Sequence, residues 1–153
     1  MAKMPGQRPW PATITRSGDN MAESDVKAVM GEFFAAFASA DMARIAACLD
    51  DDFVWTLPTG ESDPHGLVVR GKAAATDYLK RRFFEDKANA PMLSDVKLEY
   101  SGDLAIMRFH VRVPAGGGKK KVDAAGLEVY RVVNGKIRSK EAYWKQVSWP
   151  DAR

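Results

Sequence analysis

The chain has 153 residues, 46% of them hydrophobic and 28% charged, with two histidines and one cysteine. That length supports a single hydrophobic core, and one cysteine excludes an internal disulfide or a CxxC redox pair. Cys48, His65 and His110 are one short of the four ligands of a structural Cys/His zinc site, and a metal site built from carboxylates has no motif behind it; no metal or cofactor is expected.

The net charge of +3 comes from 23 basic against 20 acidic residues and is thinly spread. The run Lys119-Lys120-Lys121 follows Gly116-Gly117-Gly118 and reads as a solvated hairpin tip. It is not read as a nucleic-acid site, because interleaved stacking aromatics and further basic patches are missing. No apolar stretch is long enough to span a bilayer. Residues 1–21 are broken by Pro5, Pro9 and Pro11 and lack the apolar centre of a signal peptide. They are expected to form an N-terminal extension with Trp10 as its anchor, ahead of one domain over residues 22–153, in a cytoplasmic setting.

In chain order, the first signal is a helix over Asp25–Ala38. Val26, Val29, Met30, Phe33, Phe34 and Phe37 recur at helical spacing, and Ser24 is its candidate N-cap. Asp41 caps a shorter helix with Met42, Ile45 and Leu49 inward. After Asp50-Asp51-Asp52, Phe53–Leu57 reads as a strand stopped by Pro58. Thr59–Arg70 is a loop, and Gly71 opens a third helix that runs to about Asp86. Four strands follow: Met92–Tyr100, Leu104–Val113, about Lys121–Val133, and Lys136–Val147. The last pair is joined by Asn134-Gly135, a strong two-residue hairpin signal. The order α-α-β-α-β-β-β-β, with helices segregated to one face of the sheet, makes an α+β domain. No GxGxxG, P-loop or GxSxG motif supports a nucleotide-binding or serine-hydrolase reading.

This element order, with Phe33-Phe34-x-x-Phe37-x-x-x-Asp41, Asp51-Asp52-Phe53-x-Trp55, Arg70-Gly71-Lys72-Ala73-Ala74 and Tyr130-Arg131-x-x-Asn134-Gly135-Lys136-Ile137, resembles the nuclear transport factor 2-like superfamily. More narrowly it is similar to the SnoaL-like, ketosteroid isomerase-like and limonene-epoxide-hydrolase-like members, over about residues 23–148. The resemblance implies a cone-shaped half-barrel, a curved, mostly antiparallel sheet wrapped around three helices, with a deep apolar pocket. It also implies membership of a group that spans isomerases, hydrolases, dehydratases, cyclases and plain binding proteins.

Position by position, the resemblance is partial. The tyrosine of ketosteroid isomerases corresponds to Phe33, their aspartate base to Leu57, and their second acid falls near Glu128. One position of three is retained, which argues against steroid isomerisation. The limonene epoxide hydrolase arginine corresponds to Arg108, its aspartates to His110 and Ala142, and its water-holding pair to Val54 and Thr56. Scytalone dehydratase-like members combine histidines with an acid, which a His110–Glu128 pair matches in residue type.

Alternation divides Leu104–Val113 into an apolar set (Ala105, Met107, Phe109, Val111, Val113) and a mixed set (Leu104, Ile106, Arg108, His110, Arg112). Read by itself, the strand puts the apolar set in the core. The family register implies the reverse, with the mixed set lining the pocket and the apolar set forming an outer face for a homodimer. On that register His110 is the expected acid or base, with Arg108, Glu128 and Tyr130 stabilising developing charge. Phe33, Phe37, Trp55, Leu57, Tyr78, Arg112, Lys140 and Trp144 are the expected substrate-binding residues. The expected activity is a cofactor-independent lyase or isomerase acting on a hydrophobic, cyclic or aromatic, oxygenated molecule. A non-catalytic ligand-binding domain and an epoxide hydrolase with an altered polar triad are the alternatives. His65 falls in the loop expected to rim the pocket.

Overall fold

The computed structural model describes residues 21–58, 66–114 and 122–145. The extension through residue 20 with Trp10, the rim-loop His65 and the Lys119–Lys121 tip lie outside the described residues.

Helix α1 (Glu23–Ala38) buries Val26, Met30 and Phe33 as the periodicity predicts, and Ala36 with them. Ser24 is not its cap. The helix begins two residues earlier than expected, with Ala22 at the N-cap and no side-chain bond there. Asp41 does cap α2 (Met42–Cys48): its carboxylate accepts from the Arg44 backbone N–H at 3.1 Å. Strand β1 (Leu49–Thr56) starts directly after α2 and runs through Asp50-Asp51-Asp52, ahead of the expected start at Phe53. Extended backbone is tolerated there because each carboxylate has a cation at the surface, Asp51 on Lys72 and Asp50 and Asp52 on Arg138.

The expected loop to Arg70 holds a short strand, β2 (Val68–Arg70), paired antiparallel with β1. Gly71, at φ 87°, precedes α3 (Lys72–Leu79), a backbone angle that strongly favours glycine. The same helical run continues as a π-helical stretch, Lys80–Glu85. A short 3-10 turn, Lys87–Asn89, and strands β3 (Met92–Ser101), β4 (Leu104–Val113), β5 (Val122–Val133) and β6 (Lys136–Trp144) complete the chain's described elements. Asn134 and Gly135 both have positive φ, 50° and 74°, as the tight β5–β6 hairpin turn requires.

The strands form one sheet in the order β2-β1-β6-β5-β4-β3. All neighbours are antiparallel except β1 and β6, which run parallel and set Trp55 opposite Lys140. Three helices and a curved sheet not closed into a barrel make the cone-shaped half-barrel architecture.

The sheet corrects the expected faces of β4. Ala105, Met107, Phe109, Val111 and Val113 are buried against the helices, while Arg108 and Arg112 are exposed on the opposite face. The reason lies in the β4–β5 ladder, where Met107 stands opposite Glu128 and Ala105 opposite Tyr130. Residues directly opposite share a face, so an inward Glu128 requires an inward Met107 and turns Arg108 and His110 outward. The apolar set that motivated a homodimer is therefore core. The outer face carries Ile106, Leu127 and Val129, half-buried among ion pairs.

Candidate functional site

Between the concave side of the sheet and the helices lies a cavity of about 160 Å³. Its aromatic wall comes from Phe33, Phe34 and Phe37 of α1, Trp55 of β1 and Trp144 of β6, with Phe83 from the π-helical stretch. Widening the helix there brings Phe83 and Phe84 onto Phe37, at ring separations of 5.4 and 5.2 Å. β3 adds Leu93 and Val96 to the lining, on either side of Asp95, which takes φ 53° at a bulge. Phe109 lies across Gly126, and an added Cβ at Gly126 would meet its ring at 2.2 Å. A side chain at position 126 would thus displace Phe109 from the cavity wall.

Set into this apolar surface is a polar cluster. Among the described residues, Glu128 and Lys140 are the charged side chains that are buried, at 7% and 8% exposure. The Lys140 ammonium donates to Glu128 Oε1 at 3.0 Å, and the Tyr130 hydroxyl donates to Glu128 Oε2 at 2.5 Å. The ammonium also lies over the rings of Trp55, 4.5 Å from its centroid, and Tyr130, 5.4 Å away. Register explains the convergence: Trp55, Lys140 and Tyr130 are neighbours in one row across β1, β6 and β5, with Glu128 two residues from Tyr130 on the same face. Full burial, followed by the Glu128 charge and hydrogen bond, holds the Tyr130 phenol well above its usual 10.0. It therefore remains a donor rather than becoming an anion. The indole Nε1 atoms of Trp55 and Trp144 are buried and have no acceptor among the described residues. No group of three or more His, Cys, Asp or Glu side chains converges among the described residues in a way that could hold a metal.

Residues 30–140 match the SnoaL-like domain family, most of the chain. The chain belongs to the SnoaL-like family. Solved structures with the same fold include an NTF2-like protein from Burkholderia xenovorans LB400, at 17% identity and a TM-score of 0.66. The match covers 82% of this chain and 92% of that one. A putative ketosteroid isomerase from Kribbella flavida matches at 17% identity and a TM-score of 0.62, over 86% and 85% of the two chains. An LEH-like epoxide hydrolase from M. tuberculosis matches at 16% identity and a TM-score of 0.59, over 80% and 84%. At such identities the structural likeness is one of fold. No curated protein matches the chain.

Within this SnoaL-like cone the expected site residues separate into two groups. Phe33, Phe37, Trp55, Glu128, Tyr130, Lys140 and Trp144 all line the cavity. Leu57 is buried just past the end of β1 but does not line the cavity, and Tyr78 packs edge-on behind Trp55 at 5.2 Å. Arg108, His110 and Arg112 are not in the site. Arg108 is paired with Glu99 on the outer face, and His110 and Arg112 both meet Asp123 there. The expected His110–Glu128 pair does not exist, since the two residues face opposite sides of the sheet. Met107 and Phe109, expected outside, are cavity wall. The signal for them was present in the uniform apolarity of alternate β4 positions. Cys48 is buried, with its thiol pKa raised by that burial, as a small core residue. Among the described residues, no helix is long and apolar enough to cross a membrane.

Proposed function

We propose that the protein is a cofactor-independent acid–base enzyme of the lyase or isomerase type, acting on a small hydrophobic oxygenated ring compound, with Glu128 as the proton carrier. The observation that carries this reading is the buried Lys140–Glu128–Tyr130 cluster on the wall of an otherwise apolar cavity. A carboxylate there can take a proton from a carbon beside an oxygen function and return it elsewhere on the same molecule. Negative charge developing on the substrate oxygen has the Lys140 ammonium as its nearest cation in the cavity, where exclusion of water strengthens the interaction. Tyr130, held protonated, fixes the orientation of the carboxylate and acts as a positioning residue. Two proteins of this fold carry enzyme names, a putative ketosteroid isomerase and an LEH-like epoxide hydrolase, in keeping with an enzyme reading.

The second reading, a ligand-binding domain without turnover, is favoured by one specific observation. Both Glu128 oxygens are already engaged by protein groups, as they would be in a purely structural network. Glu128→Gln separates the two. A panel of ring compounds selected by thermal shift is followed for turnover by wild type and variant. The enzyme reading expects ligand binding to persist in Glu128→Gln while turnover falls at least about 100-fold. Unchanged turnover removes Glu128 as the proton carrier, and binding without turnover by wild type establishes the second reading.

A further inference from the structure

We propose that Lys140 captures single-ring aldehydes and ketones in the cavity as a Schiff base, with Glu128 moving the protons of the condensation. This activity rests on the proposed function's reading that the cavity holds the substrate. It adds a carbonyl class of substrate and a covalent step.

Lys140 lines the cavity and keeps 8% of its surface exposed, so its side chain is not sealed off from that space. Leu93 and Val96 of β3 line the same cavity and are 41% and 49% exposed, so it opens to solvent on the β3 side. Lys140, on β6, stands three strands away from that opening in the sheet order. A dry interior space of roughly 150 Å³ accommodates a benzene ring, and this cavity measures about 160 Å³. One ring with a short carbonyl substituent fills it. Among the described residues, Glu128 and Lys140 are the charged side chains of an otherwise aromatic and aliphatic wall, so they are where an oxygen-bearing end is best placed.

The Lys140 nitrogen is 3.0 Å from Glu128 Oε1, and Tyr130 holds the other carboxylate oxygen. A neutral amine is the nucleophile of Schiff-base formation, and a carboxylate within hydrogen-bond reach is the base that frees it. Ammonium and amine are two protonation states of one nitrogen: the first stabilises charge on oxygen, the second attacks carbonyl carbon.

The steps balance without a co-reactant. The ammonium passes one proton to Glu128 Oε1. The nitrogen lone pair bonds to the carbonyl carbon, the C=O π pair moves to oxygen, and that oxygen takes a proton from the nitrogen to give a carbinolamine. Glu128 then returns its proton to the hydroxyl, which leaves as water while the nitrogen lone pair closes the C=N bond. The product is an iminium cation beside a carboxylate, so the charge pair held by the cavity is the same before and after. The cation keeps the faces of Trp55 and Tyr130, whose centroids lie 4.5 and 5.4 Å from the ammonium.

Lys27 supplies an internal control. It pairs with Glu23 at 2.7 Å, on the surface, with both side chains about half exposed. The full chain is incubated at neutral pH with benzaldehyde and sodium cyanoborohydride, which reduces an iminium to a stable benzylamine. Labelled lysines are then located by peptide mass spectrometry. Lys140 is expected to label at least about tenfold faster than Lys27. Excess benzyl alcohol, the same ring without a carbonyl, is expected to slow Lys140 and leave Lys27 unchanged. Lys140→Arg keeps a cation beside Glu128 without an attacking amine, and the fast phase of labelling is expected to disappear. The wild-type site map needs no variant, so it stands even if that replacement fails to fold. Labelling of Lys140 no faster than that of Lys27, labelling of Lys140 that benzyl alcohol does not slow, or a fast phase that persists in folded Lys140→Arg overturns the proposal. Turnover is not read in this experiment. Labelled Lys140 without lyase or isomerase turnover would remove the enzyme reading alone, and turnover with Lys140 unlabelled would remove carbonyl capture alone.

Discussion

The two faces of the sheet carry nearly the same polar chemistry with opposite consequences. Outside, Arg108 pairs with Glu99, Arg131 with Asp103, and His110 and Arg112 with Asp123, all with side chains about a third or more exposed except for the slightly more sheltered His110. Inside, one lysine, one glutamate and one tyrosine do similar pairing at about a tenth of full exposure or less. Exposed pairs exchange protein partners for water at little net gain. The buried set lost its water on folding, and each member depends on the others for compensation. Charged residues are thus informative about function according to where the sheet register puts them, and residue type alone does not separate the two faces.

That contrast can be broken most strongly at Glu128. Glu128→Ala leaves the Lys140 ammonium and the Tyr130 hydroxyl buried without their acceptor, and a loss of about 3–5 kcal/mol in urea unfolding is expected. Arg108→Ala on the outer face is expected to cost no more than about 1 kcal/mol. Comparable losses for the two would show the inner pair to be as hydrated as the outer one. A double replacement, Glu128→Leu with Lys140→Met, is expected to recover most of the stability while abolishing the polar site.

A smaller effect is expected at Gly126, where the requirement is space. Its Cβ would strike Phe109 at 2.2 Å, so Gly126→Ala must shift that ring. The expected cost is about 1–3 kcal/mol, with weaker ligand binding in calorimetry. Full binding affinity in Gly126→Ala would place Phe109 outside the working wall.

At neutral pH the smallest effect is that of Tyr130 ionisation, which emerges only in alkali. Its folded pKa lies well above the usual 10.0, chiefly through burial. The unfolded chain therefore releases this proton first as pH rises. The associated stability is fully present below about pH 10 and is lost as pH climbs through the folded value. Tyr78 and Tyr143 shift in the same direction, so Tyr130→Phe isolates the contribution. Unfolding curves from pH 8 to 11 should decline less steeply in that variant, and identical slopes would contradict the assignment.

Much of the cone was legible in local pattern. The α1 stripe, the Asp41 cap and the Asn134-Gly135 turn each depend on residues close in sequence, and all three are observed. The inward positions of Trp55, Glu128, Tyr130, Lys140 and Trp144 came from the register implied by the family resemblance, and these residues do line the cavity. β4 failed because parity there is set by its partner. Met107 opposite Glu128 decides the face, and that cross-strand pairing is not contained in the family motifs quoted above. Simple apolar alternation within β4 pointed the right way, and the register implied by the family resemblance outweighed it. β2 was missed because three residues carry too little pattern, and its place follows from pairing with β1.

The parallel pairing of β1 with β6 has a consequence for how the site comes into being. Trp55 lies in the first strand, and Lys140, its partner across that pairing, lies in the last. Chain closure between such distant segments is slow relative to hairpin formation. A nascent chain can build α1, α2 and the β3–β4 hairpin long before β6 emerges, yet it has no ammonium to neutralise Glu128 until then. The interior charge pair therefore matures with the final strand, and chains cut short before Lys136 are born without a site and with an unmatched acid in the core.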